Sequence, residues 1–368
     1  MNNSKRILIV LENTGRGGAE TQALLLSEGL IANGFDVHVM SFGSLQGAYW
    51  NNFFDLGVNL YVTGFNSKLL LSPYKGMKAT ILNWRYSVKL VRHIRKINPD
   101  IIIPFTYPPN IILARLWSFT GAKACYWNQR DEGRLFKENT SEIKKLNSCT
   151  QIISNSQEGV LFLMQYTNKS IMLINNGVVL PEKQVDYIAS EKIRLIMVAN
   201  LHGYKDHNTL LKAWRIVVGE KGNEEAELLL AGKDGDKANE VKEFIKNNNL
   251  TESVHCLGVV TNIPELLLTC DVGVLSSVKE GLPNGILECM AVGLPVVATK
   301  IYGSIEALGE NSPFLVEPHD ANDLAEKLLQ LINDVELRKR TGLSNRERIK
   351  SCFGKDKMID NYISLLKN

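Results

Sequence analysis

The sequence predicts an α/β protein of two doubly wound domains in tandem. Three observations carry this. Short β-branched runs alternate with amphipathic stretches along the chain, the alternation restarts after a polar stretch at 181–192, and 368 residues at a prior of roughly 150 per domain make two. Strand–helix alternation implies βαβ units and parallel sheets.

In the first half the strands fall at 6–11, 36–41, 101–104, 123–127, 151–154 and 171–174, and helical patterns at 18–33, 78–97, 108–119, 141–148 and 156–165. Pro181 opens the polar linker. Strand 193–198 follows, then helix 207–219, strand 227–231, helix 237–248, strand 253–257, helix 263–269, strand 271–275, helix 285–292 and strand 295–298. Helices 320–334, 336–350 and 356–366 close the chain. The expected domains are 1–180 and 181–350, with 351–368 a C-terminal helix returning to the first. Crevices at the C-terminal ends of such strands are where open α/β sheets bind ligands.

Apolar residues at 45% and charged residues at 22% suit a globular chain rather than a disordered one. No run approaches the ~20 apolar residues of a membrane span, and the opening Met1–Arg6 segment lacks signal-peptide features. The six cysteines are scattered, which supports reduced thiols and neither a zinc site nor a disulfide framework. The net charge of +3 is unevenly divided: residues 1–187 hold 20 basic and 13 acidic residues (+7), residues 188–368 hold 22 and 26 (−4).

The segment from Asp271 to Lys300 carries the most chemistry. Glu280 sits in a loop, and Glu288 follows eight residues later in the first turns of a helix. Between them Gly281-Leu282-Pro283-Asn284-Gly285 must turn sharply. Asn284 is the expected N-cap, leaving the backbone amides of Gly285 and Ile286 to attract phosphate. A carboxylate accepts two O–H hydrogen bonds, so the pair suits sugar and ribose hydroxyls on either side of a diphosphate. The plain alternative is a loop glutamate and a glutamate that merely favours the helix dipole.

The run Glu280-Gly281-Leu282-Pro283-Asn284-Gly285-Ile286-Leu287-Glu288-Cys289-Met290-Ala291, continued by Gly293-Leu294-Pro295-Val296-Val297-Ala298-Thr299, resembles the family 4 glycosyltransferases, which are retaining enzymes of the GT-B fold: two Rossmann-like domains facing each other across a cleft. The family's hallmark is Glu-x7-Glu followed by a Glu-Ala-Met-Ala-x-Gly-x-Pro-Val-Val-Ala-Thr run, and only Cys289 departs from that run. The resemblance implies that Glu280 contacts the donor sugar, that Glu288 binds the ribose, and that the backbone of Leu282, Pro283, Asn284, Gly285 and Ile286 lies beside sugar and phosphates. Val198 to His207 resembles the donor-phosphate loop. Lys205 matches the family's lysine and is assigned to the leaving diphosphate; Asn200 stands where many members have Arg. Gly15-Arg16-Gly17-Gly18-Ala19-Glu20 resembles the glycine turn near the donor phosphates, so Gly17 and Gly18 are donor-binding candidates. The turn lacks the third glycine of the dinucleotide fingerprint. Gly258-Val259-Val260 resembles the stretch that meets the base, which makes Val260 another candidate. Gly303 and Glu306 echo the family's Gly-Gly-x-x-Glu turn, with Ser304 in place of the second glycine. Asn128 stands where many members have a catalytic His, and Asn128 and Arg130 are the expected substitutes. Asp234-Gly235-Asp236 follows a strand directly and is read as a turn; no metal and no cofactor are expected.

Residues 56–99 hold Lys68, Lys75, Lys78, Arg85, Lys89, Arg92, Arg95 and Lys96 with no Asp or Glu, interleaved with Tyr74 and Trp84. Arg85, Lys89, Arg92 and Lys96 follow helical spacing on one face. Such an element rests on an anionic bilayer, or packs on its sheet with a solvated basic side. The expectation is a cytoplasmic transferase, peripheral on the inner face of the membrane. It would move a sugar from a nucleoside-diphosphate sugar such as a UDP-sugar to a lipid-linked or glycan acceptor in cell-surface glycan synthesis, with no nucleic-acid partner. A GT-B sugar epimerase and a catalytically silent binding subunit remain as rivals.

Overall fold

The computed structural model describes residues 4–13, 15, 17–43, 49–71, 77–187, 192–220 and 226–367. Arg16, Tyr74, Lys75 and linker residues 188–191 lie outside them. The chain divides into two units, Met1–Gly177 with Asp356–Asn368, and Val178–Lys355.

The first unit is a parallel sheet of β1 (Arg6–Leu11), β2 (Asp36–Ser41), β3 (Asn59–Val62), β4 (Ile101–Pro104), β5 (Ala124–Gln129), β6 (Gln151–Ser154) and β7 (Ile171–Leu173), in the order β3-β2-β1-β4-β5-β6-β7. After Arg6, strand β1 is unbroken apolar sequence because both of its faces are covered; Ile7 to Val10 have no exposed surface. The order reverses between β1 and β4. Helices Thr140–Ser148 and Gln157–Leu163 start where Asn139 and Ser156 cap them, accepting from the amides of Glu142 and Gly159. The helix Lys355–Lys367 packs Met358, Ile359 and Tyr362 into the core of this unit. Gly29 makes room for it, since a Cβ there would run into Ile359.

The second unit holds β8 (Arg194–Val198), β9 (Glu227–Ala231), β10 (Val254–Gly258), β11 (Val272–Leu275), β12 (Val296–Thr299) and β13 (Leu315–Val316), all parallel, in the order β10-β9-β8-β11-β12-β13. Its order reverses between β8 and β11. The caps recur: Asp206, Asp320 and Asp334 each accept a first-turn amide of the helix they precede. The face of helix His207–Gly219 that carries Leu210, Leu211, Trp214 and Val217 is fully buried. Burying each such side chain contributes about 1.5–3 kcal/mol.

Helix Met77–Ile97 buries Leu90, Ile94 and Ile97 on the first unit. None of the described helices is long and apolar enough to cross a membrane. Five short elements were not anticipated: β3, β13, and helices Tyr49–Asp55, Lys68–Leu71 and Tyr302–Leu308.

Candidate active site

In the second unit, β8 and β11 are neighbours on either side of the point where strand order reverses, so the loops leaving them part in opposite directions. Such a point leaves a crevice at the strand ends. The loop after β8 runs through Asn200 to Asp206, and the loop after β11 through Ser276 to Pro283. They are tied by backbone: the Val278 amide donates to the Tyr204 carbonyl at 2.8 Å, and Ser276 Oγ to the Lys205 carbonyl at 3.0 Å.

Across this seam the Lys205 ammonium donates to Glu280 Oε1. The same oxygen accepts from Ser277 Oγ at 2.8 Å. Both charged side chains are largely shielded, with 14% of Lys205 and 9% of Glu280 exposed. A shielded pair must be well hydrogen-bonded to offset desolvation, and Ser277 supplies the extra donor. Thr299, at the end of β12, in turn donates to the Ser277 carbonyl. Ser277 was not singled out in the sequence, and Thr299 only as the last residue of the run after Glu288. The signal available was a hydroxyl three residues before Glu280.

Helix Asn284–Ala291 begins one residue earlier than expected. Pro283, not Asn284, is its N-cap, and no side chain caps it. Its first turn also lacks acidic residues, so the positive end of its dipole is not offset there. Gly285 draws this tip onto the end of β8: a Cβ there would stand 2.6 Å from the Val198 carbonyl oxygen. Leu282, Pro283, Ile286 and Leu287 are buried, while Asn284 and Glu288, one turn apart, share the half-buried side. Gly303, at the start of the next helix, packs flush on the Gly281 carbonyl. The structure thus gathers Lys205, Glu280 and the segment Leu282–Ile286 at the C-terminal ends of the neighbouring strands β8 and β11.

The Lys205 turn is held at both ends. His202 Nδ1 lies 2.6 Å from Asp236 Oδ1, and His319 Nδ1 lies 2.8 Å from Asp206 Oδ2. Asp206 adopts a left-handed conformation, φ 47°, while capping the following helix. His207 is 2% exposed with neither ring nitrogen hydrogen-bonded. Burial, reinforced by Lys205, pushes its pKa down to about 4. A neutral imidazole there leaves the cationic role to Lys205. Asn200 is a turn residue, its Oδ1 accepting from the Lys233 amide at 3.0 Å. Asp234 and Asp236 pair with Lys242 and His202, and no group of three His, Cys, Asp or Glu that could hold a metal occurs among the described residues. Val260 is half-buried on the loop after β10.

The remaining candidates lie in the first unit, at the strand ends of its sheet. Asn128 is fully buried, its side-chain Nδ2 donating to Tyr362 Oη at 3.1 Å and its backbone amide donating to Asn110 Oδ1 at 3.0 Å. Its Oδ1 is buried with no hydrogen-bond partner among the described residues. Arg130 is half-buried, its Nη2 donating to Asn176 Oδ1 at 2.6 Å and its guanidinium lying 5.1 Å from the Phe105 ring centre. Burial pushes its pKa down. Gly17 is extended, φ −156°, and a Cβ on it would meet the Glu20 carboxylate. The helix starting at Gly18 thus carries an acid, Glu20, in its first turn.

Residues 16–180 match the family described as Glycosyltransferase Family 4, and residues 192–334 that described as Glycosyl transferases group 1. The chain is 31% identical over 182 residues to the N-acetyl-alpha-D-glucosaminyl L-malate synthase of Bacillus anthracis, covering 49% of this chain and 46% of that protein. It is 28% identical over 322 residues to the N,N'-diacetylbacillosaminyl-diphospho-undecaprenol alpha-1,3-N-acetylgalactosaminyltransferase of Campylobacter jejuni, covering 80% and 81%. Among solved structures, Anabaena HepE in complex with UDP and glucose superposes with a TM-score of 0.82 at 18% identity, covering 98% of this chain and 99% of that one. Staphylococcus aureus TarM does so with 0.80 at 16%, covering 99% and 100%. These likenesses place the fold in the GT-B class.

Proposed function

The chain belongs to the glycosyltransferases, its first half to Family 4 and its second to group 1, and from that premise we propose that it moves a sugar from a UDP-sugar to a lipid-linked or polysaccharide hydroxyl. The observation that carries this reading is the Lys205–Glu280 pair beside a helix tip that no side chain caps.

The donor diphosphate would replace Glu280 as the partner of Lys205. The ammonium and the amides at the tip of Asn284–Ala291 then stabilise the departing charge, which is the largest contribution such a site can make. This reading assigns charge neutralisation to those groups and requires no metal. Released from Lys205, Glu280 accepts sugar hydroxyls, held in place by Ser277 Oγ. Glu288 accepts the ribose hydroxyls from the half-buried side of the helix. The acceptor oxygen forms its bond to the anomeric carbon as the bond to phosphate breaks. Attack comes from the leaving-group side, and its proton passes to the leaving phosphate; configuration is retained, as the family resemblance implies.

UDP and glucose in the Anabaena relative, and alpha-GlcNAc-glycerol with UDP in a TarM structure, support a uridine donor. The diphospho-undecaprenol substrate in the Campylobacter transferase's name and the capsular polysaccharide in that of Staphylococcus aureus CapM support a cell-surface glycan acceptor. The six free cysteines suit the reducing cytoplasm.

The test is product analysis with UDP-GlcNAc, UDP-glucose and UDP-galactose, with and without an undecaprenyl-diphosphate sugar. Expected is acceptor-dependent UDP release that falls at least about a hundredfold in Glu280→Gln. Donor turnover that needs no acceptor and yields an epimer, or full activity in Glu280→Gln, would contradict the proposal.

A further inference from the structure

Helix Met77–Ile97 presents two further rows on its outer side, of which Lys89 also reaches back, its ammonium 5.6 Å from the Phe65 ring centre. Opposite the buried Leu90, Ile94 and Ile97 stand Met77, Ile81 and Trp84, which are 80%, 51% and 65% exposed. With half-buried Val88 they follow i, i+4, i+7, i+11, one face of a helix. Arg85, Lys89, Arg92 and Lys96, all exposed, repeat that spacing one residue along, so a basic row runs beside the apolar one. Together with Trp84, Val88 and His93 the basic row lines a groove of about 370 Å³. His93 is held below its ordinary pKa by burial and by Lys89 and Lys96, which reports the density of positive charge. No acid between residues 56 and 99 offsets it. At the far end Arg95 donates to the Phe119 carbonyl at 2.8 Å, and Phe119 is itself 60% exposed.

A helix that only packs on its sheet gains nothing from exposed Met, Ile and Trp. A soluble polyanion such as RNA would use the cations and leave those side chains in water. A bilayer surface uses both, apolar side chains entering the acyl boundary and cations meeting headgroup phosphates. We propose that this helix is a docking face for a membrane surface containing anionic phospholipid, with lipid phosphate seated along Arg85, Lys89, Arg92 and Lys96. The inference does not rest on the donor reading, because docking needs no nucleotide sugar.

The experiment is co-sedimentation of the full chain with vesicles of phosphatidylcholine alone and with phosphatidylglycerol added, in the presence and absence of heparin. Expected is binding to the phosphatidylglycerol vesicles only. Arg85→Glu/Arg92→Glu/Lys96→Glu should weaken it at least about a hundredfold, at roughly fivefold per basic residue removed. Ile81→Ser/Trp84→Ser should weaken it at least about tenfold, with an unchanged melting temperature because both residues are exposed. Vesicle binding that is absent in the wild-type chain, that ignores either set of substitutions, or that heparin matches in affinity and Ile81→Ser/Trp84→Ser does not alter, would overturn the proposal. UDP binding measured on the same preparations separates this outcome from failure of the donor reading.

Discussion

Gly285 and Val198 touch backbone to backbone: a Cβ on the glycine would stand 2.6 Å from the valine carbonyl oxygen, where no real Cβ sits. Glycine-to-alanine changes in helices ordinarily stabilise by up to about 1 kcal/mol. Here the sign reverses, because a rigid carbonyl at the end of β8 must give way. Gly285→Ala is expected to destabilise by about 1–3 kcal/mol and to weaken UDP binding by pushing the helix tip from the strand end. Thermal melting and calorimetric UDP titration check both effects.

His207 makes stability depend on pH. Its folded pKa of about 4 lies below the ordinary 6.5, so the unfolded chain takes up the proton first as pH falls. The contribution is present above pH 6.5 and is lost between there and about 4, on the order of 3 kcal/mol in all. Melting curves across that window should show a decline that His207→Leu flattens. An equal decline in the variant would contradict the assignment.

Arg130 is a half-buried cation whose polar neighbours are Asn176 Oδ1 and the Tyr362 hydroxyl. Its partner Asn176 Oδ1 also accepts from Asn155 Nδ2 at 3.2 Å and so would not be stranded by its removal. Arg130→Met should hold or raise the melting temperature while lowering the transfer rate, the pattern of a charge kept for activity. A melting temperature several degrees lower would mark Arg130 as structural instead.

Much of this architecture could be read from periodicity. Strands such as Ile7–Leu11 and Val272–Leu275 are buried runs with sharp ends, and helices begin where Asp206, Asp320 and Asp334 cap them. What escaped was short or held by tertiary contact. Asn59–Val62 is a partly exposed edge strand of four residues, and Leu315–Val316 has two. Glu280 and Lys205 were legible as residues, but their direct pairing was not, since 75 positions separate them. Asn128 reads as a polar strand-end residue, and only the return of the C-terminal helix brings Tyr362 against it and buries it. The closeness of the Glu20 carboxylate to Gly17 was likewise not legible, being set by the local fold of the turn.

The central claim is that Lys205 exchanges Glu280 for the donor diphosphate. Titration calorimetry of UDP against the wild-type chain and Lys205→Gln/Glu280→Gln tests it most directly, since the double variant removes both charges and strands neither. The account predicts that the wild-type chain binds UDP and that the double variant binds it about 10- to 100-fold more weakly, the worth of one charge-assisted hydrogen-bonding group. Equal affinity in the two proteins, or no UDP binding by the wild-type chain, would contradict it.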